Sequence, residues 1–175
     1  IAREALRVKL GLDQSLIIQY INFIKGLFQG DLGQALITEE PVREIINESL
    51  PASIELGFFA LLISLSIGLS IGFFGISKRE GKTDLIGRLY GISTYALPPF
   101  WAAMLVQLFF AVILGWLPIG GRLPPGISSP PSVTGFLLLD SIFNKNIALF
   151  FSSFKHLILP SFTLGILLSG IFSRS

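Results

Sequence analysis

Hydrophobic positions in this chain do not alternate with polar ones. They run together in three long blocks. Residues 56–76 form a stretch of 21 without a charge, 89–121 a stretch of 33, and 157–173 a stretch of 17. A helix needs about 20 apolar residues to cross a bilayer core. The blocks therefore predict three transmembrane helices, at about 52–76, 92–117 and 157–174. A buried helix of a soluble protein would keep a polar stripe. Residues 56–76 offer only serine for one.

Shorter patterns fill the gaps. Pro41 suits the first turn of a helix. Val42, Ile45, Ile46 and Leu50 follow at helical spacing, so 41–50 reads as a short amphipathic helix. Pro51 is then expected to restart the chain into the first span. Glu55 falls one turn in, where the helix dipole favours an anion. That role is weighed above a contact with substrate. Pro118, Pro124, Pro125, Pro130 and Pro131 make 118–132 irregular. Residues 133–154 hold apolar runs broken by Asp140 and Lys145, too short to span and expected to lie against the outer surface.

Composition agrees with this picture. Of 175 residues, 51% are hydrophobic and 14% charged, and mean hydropathy is +0.73. Soluble domains average about 25% charged residues. The pI near 9.1 suggests nucleic acid, but the net charge is only +2 and no basic stripe exists. With no cysteine and one histidine, His156, thiolate sites and paired-histidine metal motifs are excluded. No cofactor is expected. The chain starts with Ile1 and shows no leader, so it reads as cut from a longer protein.

Lys and Arg in the loops set orientation. The loop at 77–88 carries Lys78, Arg79, Lys82 and Arg88 and should be cytoplasmic, beside anionic lipid. The loop at 118–156 carries three basic residues over a longer stretch and should be extracytoplasmic. Residues 1–50, with five basic and seven acidic residues, should lie outside as well. Residues 51–175 then form the membrane domain.

Candidate chemistry is sparse. Residues 75–83 resemble a phosphate-binding loop, but five residues separate the glycines instead of four and no strand precedes them. ATP binding is not expected there. His156 lacks a nucleophile and an orienting acid in the sequence and reads as interfacial. Ala60, Ser64, Gly68 and Gly72 recur every four residues in the first span, and Ser161, Gly165, Ser169 and Ser173 in the third. Small ridges let helices in lipid approach closely. The alternative is that Gly and Ser are simply common in such helices. Gln107 is the most polar residue deep in the second block, on a face with Ala103, Ala111 and Gly115. It either bonds another helix or lines a polar pathway.

Four blocks carry a resemblance. The first is Leu10-Gly11-Leu12-Asp13 with Gln19-Tyr20 and Gly30-Asp31-Leu32-Gly33. The second is Leu50-Pro51-Ala52-Ser53-Ile54-Glu55-Leu56. The third is Pro98-Pro99-Phe100-Trp101 leading to Leu114-Gly115-Trp116-Leu117-Pro118 and Gly121-Arg122. The fourth is His156-Leu157-Ile158-Leu159-Pro160 with Thr163-Leu164. In this order they resemble the inner-membrane permease of a binding-protein-dependent ATP-binding cassette importer, of the dipeptide, oligopeptide and nickel type.

The resemblance implies an all-α, polytopic helical bundle, of which about three spans of the type-1 importer transmembrane domain lie here. It implies a first helix before residue 1 and a coupling segment after Ser175. It implies a second permease subunit, two cytoplasmic ATPase subunits and an extracytoplasmic solute-binding protein, which regions 1–50 and 118–156 would meet. Peptides, nickel, glutathione or oligosaccharides would be carried, with no bond chemistry in the permease. The alternatives are a small structural or assembly-factor membrane protein, which fits the hydropathy but not the four blocks, and a membrane hydrolase, which lacks an intramembrane acid or a Ser/His pair.

Overall fold

A computed structural model describes Arg7, residues 13–77 and residues 82–172. Secondary structure among them is helical, with a lone bridge between Gln34 and Pro41. The chain divides into compact units at 1–49 and 50–175.

In the first unit, α1 covers Leu16–Phe28. It ends in a Schellman motif. Gly30 takes φ +79°, its N–H donates to the Leu27 carbonyl at 3.0 Å, and the Asp31 N–H reaches the Gly26 carbonyl at 2.9 Å. A glycine past the helix end accepts this left-handed turn without strain. The Asp31 carboxylate then accepts the Gly33 N–H at 2.9 Å. The Gly30-Asp31-Leu32-Gly33 block is thus a helix stop followed by a turn.

Helix α2 runs unbroken over Val42–Ser77, with Pro51 inside it. This corrects the expected break between a 41–50 helix and a 52–76 span. Pro51 cannot donate to the Asn47 carbonyl, but one missing bond in a helix of 36 residues does not end it. Serines on α2 turn inward on their own backbone: Ser66 Oγ donates to the Leu62 carbonyl at 2.7 Å and Ser70 Oγ to the Ser66 carbonyl at 2.6 Å. Such bonds let hydroxyls sit in an apolar helix.

The second block is not one helix. Helix α3 covers Lys82–Ala96 and α4 covers Pro99–Gln107, and a π-helical segment follows at Leu108–Ile113. The bend at Leu97 and Pro98 is 99°. Prolines at 98 and 99 each push the preceding residue out of the α region, and Pro98 adopts ψ 127°. The expected span at 92–117 is therefore corrected to a bent pair. Helix α3 also takes in Lys82 and Arg88, which the sequence assigned to a loop. The π segment closes at Gly115, φ +64°, where the Trp116 N–H returns to the Phe110 carbonyl at 3.0 Å.

Helix α5 is short, Leu137–Phe143, and α6 covers Ile147–Phe172. The third span thus starts ten residues before the expected 157, and Pro160 lies inside it. Among the described residues, two helices are long and apolar enough to cross a membrane, α2 and α6, or three crossings if the bent pair is one. Helix α6 packs against α3, α4 and α5.

Candidate functional site

A close helix contact in the second unit lies between α2 and α6. A Cβ built on Gly165 would lie 2.7 Å from Ile63 Cβ and 2.9 Å from the Ala60 carbonyl oxygen. Ala60, Ser64, Gly68, Ser161, Gly165 and Ser169 are buried, and Gly72 is half-buried. The hydroxyls of Ser64 and Ser161 find no hydrogen-bond partner. Their small volume, not their polarity, suits these positions. Phe59 and Phe154 meet edge-on at 5.8 Å beside them. Ser169 differs: its hydroxyl lies 2.5 Å from the Tyr90 hydroxyl of α3, which also donates to the Ile166 carbonyl. Tyr90 has no partner legible in the sequence, because the residues it reaches are 76 and 79 positions away.

Polar chemistry gathers at the other end of the α2–α6 contact. Glu55 is 13 residues past the start of α2, not one turn into it, which corrects the dipole reading. Its side chain is 9% exposed, and both oxygens are engaged. Oε2 accepts from Arg122 Nη2 at 2.8 Å, and Oε1 accepts the Leu138 N–H at 2.9 Å. The carboxylate therefore ties α2 both to the 114–136 segment and to the first turn of α5. A cavity of about 220 Å³ opens beside it, with Ser53, Ser153 and His156 on its polar side and Leu56, Leu137 and Pro160 among its apolar walls. His156 sits well inside α6, not at its start, and its Nδ1 is 2.8 Å from the Ser152 carbonyl.

Asp140 holds the segment before α5. It is 3% exposed and accepts the Thr134 N–H at 2.8 Å, the Thr134 hydroxyl at 2.7 Å and the Gly135 N–H at 3.1 Å. Burial pushes this carboxyl up, but the Thr134 bonds, with those of Gly135 and Val133, outweigh it and hold it below the usual carboxylate range. Far from breaking an apolar run, Asp140 organises the turn that launches α5.

Gln107 departs from one of its two expectations, the bond to another helix. It is half-buried at the end of α4, and its Nε2 donates to the Ile119 carbonyl of the segment that follows the π turn. It bonds a loop, not another helix. Of the basic residues assigned to orientation, Lys78 and Arg79 lie outside the described residues, as do Glu80 and Gly81 of the 75–83 stretch. Lys82 opens α3, and Arg88 lies exposed within it. Among the described residues, no group of three His, Asp or Glu could hold a metal ion.

No family model matches the chain. Individual relatives do. A probable D,D-dipeptide transport system permease protein of Escherichia coli is 40% identical over 171 residues, covering 98% of this chain and 50% of that protein. A di/tripeptide transport system permease protein of Pseudomonas aeruginosa is 34% identical over the same shares. A putrescine export system permease protein of Escherichia coli is 31% identical over 87% of this chain and 48% of its own. The chain spans about half the length of the curated relatives it matches. Over nearly all of its own length, the chain is related to the permease proteins of peptide transport systems.

Proposed function

We propose that this chain is part of the membrane-embedded permease of an ATP-driven importer of the inner membrane, carrying peptides or a related small solute. The observation that carries the reading is similarity over 98% of the chain to permease proteins of dipeptide transport systems. The apolar helices Val42–Phe73 and Ile147–Ile171 supply the means to sit in a bilayer. The same similarity speaks against a structural or assembly-factor role. In this reading the chain does no bond chemistry and binds no nucleotide. A second permease subunit, two ATPase subunits and a solute-binding protein complete the machine. Transport then follows from alternation between two packings of the same helices, each biased by a different partner. Gln107 belongs to the wall near the pathway, and the small ridges set how closely the helices pack.

Two experiments test this. The full-length gene product, co-expressed with its neighbouring subunits in a strain lacking peptide importers, is expected to restore ATP-dependent uptake of a labelled dipeptide. Uptake no higher than in the empty strain would reject the peptide reading, and a panel of nickel, glutathione and oligosaccharides then identifies or excludes the related solutes. Orientation is tested separately. The chain has no cysteine, so Gln34→Cys and Lys82→Cys report alone. An impermeant maleimide added to intact spheroplasts is expected to label position 34 and spare position 82. Equal labelling of both from outside overturns the topology with 1–50 outside and 77–88 inside.

A further inference from the structure

We propose that the Glu55–Arg122 ion pair is a latch, holding Gly121 and Arg122, at the start of the glycine- and proline-rich segment 121–136, against the mouth of the cavity between α2 and α6. The proposal rests on neither the identity of the solute nor the orientation of the chain.

Three parts of the fold converge on one carboxylate: α2 supplies Glu55, the segment supplies Arg122, and α5 supplies the Leu138 N–H. Each oxygen of the carboxylate is engaged by a donor from a different part of the fold. The carboxylate is a pin. The two ends of the pair are unlike. Glu55 is 9% exposed while the Arg122 side chain is 43% exposed. Arg122 can therefore swing into water and stay solvated, whereas Glu55 stays buried against Leu138. Release from the Arg122 side is the easier motion.

The ends of the segment are held independently. Gln107 bonds Ile119 just before it, and Asp140 bonds Thr134 and Gly135 at its far end. Between these anchors, Gly121 and Gly126 take φ +77° and +83°, and no atom lies within 4 Å of a Cβ built on Gly126. At Gly126 the backbone is free of close packing and can absorb a hinge change. Beside Arg122 is the cavity lined by Ser53, Ser153 and His156, with Gly121 and Arg122 forming part of its rim. Opening the pair widens the mouth of that cavity at Gly121 and Arg122 without unseating α5.

The test uses the full-length protein in detergent, where a reagent reaches every face. Ser153→Cys places a reporter inside the cavity, since Ser153 is buried and lines it. Leu139→Cys on α5, exposed in the closed state, is the control. With the pair intact, a charged methanethiosulfonate should modify position 153 slowly. Arg122→Ala should raise that rate about tenfold or more by shifting a local opening equilibrium. The double variant Glu55→Gln with Arg122→Ala should raise it equally, and it strands no buried carboxylate that could spoil folding. Arg122→Lys, which keeps the charge, should leave the rate nearer to that of the intact protein. Position 139 should react at one rate throughout. Unchanged labelling of position 153 in the double variant, or equal acceleration at 139, overturns the latch.

Discussion

Gly165→Leu is expected to unseat α6 from α2. The new Cβ would meet the Ala60 carbonyl oxygen at 2.9 Å and Ile63 Cβ at 2.7 Å. The first of these belongs to a helix backbone and cannot rotate aside. Overpacking costs about 1–3 kcal/mol and occasionally more, and a branched side chain against backbone belongs at the upper end. Gly165→Ala should already destabilise by about 1–2 kcal/mol, because steric conflict exceeds the roughly 1 kcal/mol gained in helix propensity. Gly57→Ala is the matched control. No atom lies within 4 Å of a Cβ built there, and it sits in the same helix as Ala60. It should be neutral or slightly stabilising. Thermal unfolding in detergent, followed by loss of the monodisperse species, ranks the three. A Gly165→Leu protein as stable as the Gly57→Ala control would show that α2 and α6 do not meet this closely.

The apolar blocks were legible because composition alone reports them. Their boundaries were not, and proline is the reason. Pro51 and Pro160 sit inside long helices, while Pro98 ends one. A single proline forfeits one backbone bond, which a long helix tolerates. Two consecutive prolines fix extended backbone at Pro98 and leave Leu97 no α-helical option. Sequence can pose this distinction but does not weigh it against helix length. The ridge Ala60-Ser64-Gly68-Gly72 was visible as a period of four, yet the period does not say what it touches. The Glu55 site was least legible. Its partners Arg122 and Leu138 lie 67 and 83 positions away, and each looked ordinary by itself: an acid near a helix start, a basic residue in a loop, an apolar residue in a short run. The two usable signals were a lone acid in the Pro51–Leu56 block and a lone arginine in a loop of glycine and proline, both falling in blocks already singled out.

Arg122→Ala is expected to destabilise the second unit by about 2 kcal/mol. Removing one partner of a fully buried pair costs about 3–5 kcal/mol, because the other charge is left in low dielectric. Here Arg122 is 43% exposed, so water already screens part of the attraction and the expected loss falls below that range. Glu55→Gln should cost less, about 1 kcal/mol, since the amide oxygen can still accept the Leu138 N–H while the charge-assisted bond to Arg122 becomes a neutral one. Glu55→Ala should cost more than Glu55→Gln, because it also orphans the Leu138 N–H, which is buried. The double variant Glu55→Gln with Arg122→Ala closes a thermodynamic cycle. Residues in direct contact couple by about 0.5–3 kcal/mol, so its loss should be smaller than the sum of the single losses. Additivity within error, measured by denaturant or thermal unfolding in detergent, would mean that the two side chains do not interact. The order Arg122→Ala, then Glu55→Gln, then the much milder Arg122→Lys separates the stranded charge from the lost hydrogen bond, since only the first leaves a carboxylate buried without its cation.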